Sequence, residues 1–163
     1  MFHVKHKTKQ NNVPCETYKR GKNMEKYMKI ALKEAEKAKK HNDVPVGAVI
    51  VKDNKIISRG HNKRELTKKV TKHAEIVAIE RACRKLRSWH LENCEIYITV
   101  EPCTMCYGAI EQSRINKIIY GIDNEKFGYF SKKYKNKKIP VEKGILKKDC
   151  ENIMKEFFIK KRK

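Results

Sequence analysis

Long apolar runs are missing from this chain. Nothing approaches the roughly 18 consecutive apolar residues of a membrane-crossing helix, and the first residues lack the apolar core of a secretory signal. A soluble, cytoplasmic protein with no membrane partner is therefore expected. A disulfide framework is also missing. Of the six cysteines, two form a Cys-x-x-Cys and the others, Cys15, Cys83, Cys94 and Cys150, show no framework spacing, which points to a reducing compartment. Acidic residues are scarce, 19 against 40 Lys and Arg, so the formal net charge is +21. There is no internal repeat, and 163 residues suit one domain with a sizeable core.

A basic excess suits a polyanionic partner, because Lys and Arg that bind phosphates release counterions. Lysine supplies most of this excess, however, and a surplus of lysine, asparagine and isoleucine also follows from an A/T-rich coding sequence. Net charge informs on nonspecific binding and does not by itself name a substrate.

Residues 1–23 are polar and basic, carry only Glu16 as an acid and show no apolar period, so they read as a disordered tail. An RNA-binding arm, an organellar presequence, a start codon placed too early and a tail without a role all remain open for it. The folded domain is expected over 24–163. It opens with apolar residues at Met24, Tyr27, Met28, Ala31, Leu32, Ala35 and Ala38, the spacing of an amphipathic helix. Val44–Val51 reads as a buried strand, and Asp53-Asn54 turns it into a hairpin with Lys55–Arg59. A helix is expected over 72–86, a strand over Glu95–Val100, a helix over Thr104–Gln112 and a strand over Asn116–Tyr120. Asp123–Lys138 reads as a lysine-rich loop carrying Phe127, Tyr129, Phe130 and Tyr134. Those aromatics suit either stacking on single-stranded RNA or packing down from a solvated loop. A last helix runs through Leu146, Cys150, Ile153, Met154 and Phe157 into a basic end.

The densest chemistry lies in two short stretches, His73-Ala74-Glu75 and Pro102-Cys103-Thr104-Met105-Cys106. One imidazole and two thiolates give zinc three protein ligands and leave the fourth tetrahedral position for water, as catalytic sites do. Glu75 is left over as a carboxylate within a turn of His73, placed to move protons. Both stretches fall where helices are expected to start, and a helix N-terminus favours thiolates. Proline before Cys103 fits a helix start as well. The combination is the H-x-E and P-C-x-x-C signature of zinc-dependent nucleobase and nucleoside deaminases. His41, His61 and His90 have no spacing that recommends them as a fourth ligand.

Further stretches narrow the resemblance: Val44-Pro45-Val46-Gly47-Ala48-Val49, Gly60-His61-Asn62, His73-Ala74-Glu75-Ile76, Glu101-Pro102-Cys103-Thr104-Met105-Cys106, Ser113-Arg114-Ile115, Gly144-Ile145-Leu146 and Phe157-Phe158. On these the chain, from about Met24 onward, resembles the bacterial tRNA-specific adenosine deaminases. The resemblance implies a three-layer α/β/α, cytidine-deaminase-like fold with a five-stranded mixed sheet, a homodimer, and conversion of the wobble adenosine in an arginine tRNA to inosine. It implies one Zn2+ per subunit on His73, Cys103 and Cys106, with Glu75 as proton shuttle. Asn62 would contact the flipped base, Val44 and Pro45 would line its pocket, and backbone at Ala74 would steady developing charge. Lys126, Phe157, Phe158, Lys160, Lys161 and Arg162 would contact the tRNA anticodon stem-loop, and DNA is not expected as a partner. One departure stands out: Phe127-Gly128-Tyr129-Phe130 replaces small residues, and the loop after it is shortened. Two rivals remain, a deaminase of free guanine, cytosine or deoxycytidylate and a silent RNA-binding subunit; the presence of Glu75 speaks against the second.

Overall fold

The structure, a computed structural model, describes residues 15–132 and 138–162. Residues 1–14 of the expected tail, Tyr134 and Lys163 lie outside the described residues. The element order is α1 (Cys15–Lys39), β1 (Gly47–Lys52), β2 (Lys55–His61), α2 (Arg64–Thr67), α3 (Ala74–Leu86), β3 (Cys94–Val100), α4 (Thr104–Gln112), β4 (Lys117–Ile122), β5 (Val141–Lys143) and α5 (Lys147–Lys161).

The strands form one five-stranded sheet in the order β2-β1-β3-β4-β5. β1 runs antiparallel to both β2 and β3, while β3, β4 and β5 are parallel, so the sheet is mixed. The hairpin closes on Asp53 and Asn54, both left-handed at φ 49° and 58°, the backbone that a two-residue turn with matching strand twist requires. Side chains alternate across the pleat. Ala48, Ile50, Ile96, Ile98, Ile118 and Tyr120 face one core, which Ala74, Ala78 and Ala82 of α3 and Tyr107 and Ile110 of α4 cover. Val49, Val51, Tyr97 and Ile119 face the other, under Tyr27, Met28 and Ala31 of α1 and Cys150 of α5. This period-two division is what makes three layers from one sheet.

Two expectations need correcting. α1 begins at Cys15, nine residues before Met24, inside the stretch read as tail. Residues 19, 20, 22 and 23 are exposed, so this stretch carries no apolar period to read; it continues a helix whose packing starts at Met24. β1 begins at Gly47 and not at Val44, because the Val46 N–H bonds back to the Val44 carbonyl at 2.8 Å and closes a tight turn. The segment 43–46 is thereby a loop, which places it beside the site. Gly60 at the end of β2 lies against the α3 backbone: a Cβ there would run into the Ala74 carbonyl. Glycine at that point lets the start of α3 sit directly on the sheet.

Candidate active site

α3 and α4 both start at the same end of the sheet, and their N-caps are His73 and Cys103. Each has extended backbone, φ −72° and ψ 159° for His73, φ −73° and ψ 172° for Cys103, and neither side chain caps its helix. A capping side chain turns back onto the first N–H groups; these two point at each other. His73 Nδ1 lies 3.7 Å from Cys103 Sγ and 3.5 Å from Cys106 Sγ, and the three atoms are all within 4.8 Å of one another. Zinc bonds of about 2.0–2.3 Å at tetrahedral angles hold ligand atoms about 3.5–3.8 Å apart. The donor set and its spacing therefore fit a zinc ion. Cys103 follows β3 directly, whereas His73 is reached through a loop, 62–73, that contains α2.

The charges on these groups agree with that fit. The bond from Cys106, helped by His73, holds the Cys103 thiol down to about 4, while contact with Cys103 and burial push Cys106 up. His73 is raised, chiefly by its bond to Cys103. Two sulfurs and an imidazole at this range share protons, and a divalent cation among them takes the place of those protons, since ligation requires thiolates and neutral imidazole.

Glu75 lies one residue into α3 and is only 4% exposed. Burial above all pushes its carboxyl up to about 7, against the pull of nearby His73. A group balanced near neutrality both takes and returns a proton readily.

Above these groups opens a cleft of about 450 Å³. Of the residues expected from sequence, Val44, Asn62, His73, Ala74, Glu75, Cys103 and Lys161 line it, and Cys106 is buried against its base. Asn62 is held from both ends: its Nδ2 donates to the Val44 carbonyl at 3.3 Å and its Oδ1 accepts from the Arg64 N–H at 3.3 Å. Pro45 is buried but does not line the cleft; Val46 does. Phe157 is largely a core side chain at 7% exposure with Lys161 over its ring, whereas Phe158 is exposed. Lys160 sits with Lys39, Asn42, Glu156, Phe157 and Lys161 around a neighbouring groove, and Arg162 is exposed at the end of α5. Lys126 is exposed outside the cleft, which Phe127 beside it lines.

Asp43, Met105 and Glu101 contribute to the site without having been assigned a role from sequence. Buried Asp43 accepts from the Glu65 and Leu66 N–H groups at 2.7 and 3.2 Å, fixing α2 and so the Asn62 segment. Its partners are 22 and 23 residues away, and no local pattern announces them. Met105 and Phe127 form the apolar rim, 37% and 56% exposed. Glu101 is buried and organises the rim loop: it accepts from the N–H groups of Asn124 and Ser131, both at 2.8 Å, and from the Ser131 hydroxyl at 2.5 Å. Gly128 passes so close to the Glu101 carboxylate that a Cβ would clash, and the Tyr129 N–H bonds the Pro102 carbonyl at 2.9 Å. Tyr129 and Phe130 then point inward, Tyr129 stacked on Tyr107 at 3.6 Å between centroids. Of the described loop aromatics, Tyr129 and Phe130 thus pack down and Phe127 stays out.

Comparison with known proteins supplies the remaining findings. A family model described as MafB19-like deaminase matches residues 22–162. The tRNA-specific adenosine deaminase of Streptococcus pyogenes serotype M1 is 45% identical over 139 residues, covering 81% of this chain and 81% of that protein. A solved structure from a study of A-to-I editing by tRNA A34 deaminases at the wobble position of transfer RNA is 36% identical with TM-score 0.73, covering 78% of this chain and 98% of the other. A guanine deaminase from Bacillus subtilis, at 32% identity, gives TM-score 0.60 over 71% of this chain and 82% of its own.

Proposed function

This chain belongs to the MafB19-like deaminase family and within it to the tRNA-specific adenosine deaminases, and we propose that it converts the wobble adenosine of a tRNA anticodon, that of an arginine tRNA, to inosine. The observation that carries this reading is Glu75: a buried carboxyl near neutrality, set against a His and two Cys at the base of an open cleft. His73, Cys103 and Cys106 would hold one zinc ion per subunit. Zinc at such a site supplies Lewis acidity and brings the pKa of water from 15.7 to about 7.

The chain's own residues do the rest. Glu75 accepts a proton from the attacking water and gives it to N1 of adenine as the C6–O bond forms. The same carboxylate then takes the second proton from the oxygen now bonded to C6 and passes it to the exocyclic nitrogen as the C6–N bond breaks, the C6 carbonyl forms and ammonia leaves. Water and adenosine in, inosine and ammonia out, the atoms balance. Asn62, braced by Val44 and Arg64, presents its amide to the base, with Val44 and the Ala74 backbone beside it. Met105 and Phe127 offer apolar surface to neighbouring unstacked bases, which an anticodon loop splays out at low cost. A homodimer and a cytoplasmic location belong to the same reading, from the family resemblance and from a +21 chain in which no described helix is long and apolar enough to cross a membrane.

The guanine deaminase similarity keeps a second reading in view, a free-base deaminase. The zinc-loaded protein is to be incubated with an arginine tRNA bearing wobble adenosine, beside free adenosine, cytosine, cytidine and guanine. Inosine confined to the wobble position is expected. Ammonia from a free base with the tRNA untouched would overturn the proposal.

A further inference from the structure

α1 carries lysines at 19, 22, 26, 29, 33 and 37, a spacing of three or four residues throughout. At 3.6 residues per turn that spacing keeps all six on one stripe, about 27 Å long at 1.5 Å per residue. All six are exposed, while Tyr27, Met28, Ala31, Ala35 and Ala38 bury the opposite face. Each neighbouring pair of the stripe is a like-charge contact at i,i+3 or i,i+4, which disfavours the helix. Relief within the protein is slight. Lys37 pairs with Glu34 and Lys26 lies over the Tyr27 ring, but Lys19, Lys29 and Lys33 make no ion pair among the described residues. Glu25 and Glu36 flank one edge, and Glu36 is engaged by Lys39. A helix built against its own electrostatics on one face gains most from a partner with a line of negative charges.

The stripe is joined to the cleft. The groove of Lys39, Asn42, Glu156, Phe157, Lys160 and Lys161 shares Asn42 and Lys161 with the cleft. It shares Glu156, paired with Lys39 at 3.6 Å, with a second groove between α1 and α5, lined by Lys29, Leu32, Lys33 and Glu36 on one side and by Asp149, Asn152, Ile153 and Glu156 on the other. A polyanion whose loop enters the cleft can thus follow these grooves onto α1. We propose that the lysine stripe of α1 is a docking surface for the phosphate backbone of an RNA helix, namely the part of the substrate tRNA beyond its anticodon stem-loop. This rests on the tRNA reading above.

The test replaces Lys22, Lys26, Lys29 and Lys33 together by Gln and compares binding of full-length tRNA with that of an isolated anticodon stem-loop, by fluorescence anisotropy from 50 to 200 mM salt. A control variant replaces Lys55, Lys68, Lys69 and Lys85 by Gln, with circular dichroism confirming helix content in both. Binding of full-length tRNA is expected to weaken by roughly tenfold or more at low salt, with the slope of log K against log salt falling by about 3–3.5, since each of the four phosphate contacts contributes about 0.7–0.9. Stem-loop binding and the control variant should change by less than a factor of about two. Equal loss on both RNAs, equal loss in the control, or no loss on full-length tRNA would each overturn the docking surface. Inosine formation by the unaltered protein is followed separately; its absence would sink the tRNA reading, while the affinities still decide the stripe.

Discussion

Glu75 and Glu34 are hidden from water to nearly the same degree, 4% and 2% exposed, each on a helix and each within reach of a histidine. Their surroundings drive them apart. Burial raises Glu75 to about 7, and the Cys103 charge adds to the rise. Burial works on Glu34 as well, but His61 Nδ1 at 3.1 Å and the Lys37 ammonium at 2.6 Å outweigh it and hold the carboxyl at about 2. One acid is kept where it can gain a proton; the other is locked as an anion that ties α1 to the end of β2. Burial alone, then, does not mark a proton carrier. What separates the two is the Lys37 ammonium, which bonds Glu34 at 2.6 Å and has no counterpart beside Glu75 among the described residues.

Removing the carboxylate of Glu75 should separate the two most sharply. Glu75→Ala is expected to lower the rate of inosine formation by about 10²–10⁴-fold or more, with RNA affinity and zinc content unchanged, by steady-state assay and metal analysis. A near-normal rate would erase the distinction. Glu34→Gln should leave turnover within a few fold and cost stability instead, about 3 kcal/mol at most for a carboxyl shifted from 4.5 to about 2. The sign follows from the depressed value: the unfolded chain binds this proton first, so the stabilisation is present above about pH 4.5 and fades as pH falls toward 2. Thermal melts from pH 2.5 to 7 should converge for the two proteins at the acid end; a constant offset would refute the ion pair. A third buried acid, Glu101, sharpens the comparison, since its donors are two backbone N–H groups and a hydroxyl. Glu101→Ala leaves these without an acceptor, so a loss of about 1–3 kcal/mol and a raised KM with kcat little changed are expected. Unaltered melting would show that the rim loop holds without it. The smallest effect is expected for exposed Phe127→Ala: unchanged melting, and a KM for tRNA raised by no more than about tenfold.

Much of this was legible in the sequence where spacing is local. The strand alternation that sorts Val49, Val51 and Tyr97 from Ile50, Ile96 and Ile98 is present in the residues themselves. So is α4, expected and found over Thr104–Gln112, with Pro102-Cys103 at its start. What escaped depends on distant partners. Glu34 meets His61 across 27 residues, and Glu101 meets Ser131 across 30, so neither function can be seen in a window of neighbours. α2 has four residues and no apolar stripe; Asp43 holds its start from another loop. The α1 turn over 19–23 escaped for the converse reason, because exposed Lys19, Arg20, Lys22 and Asn23 present no buried face to betray it.

Because the loop over 124–131 is pinned by Glu101, Gly128 and the Pro102 carbonyl, the wall that carries Phe127 and the segment that carries Cys103 move as one piece. Anyone retargeting the cleft to another base context inherits this as a constraint. Insertions within 124–131 would be transmitted to the ligand triangle and selected against. Val70, at the mouth and outside that knot, is a position where new specificity can be tried without disturbing the chemistry.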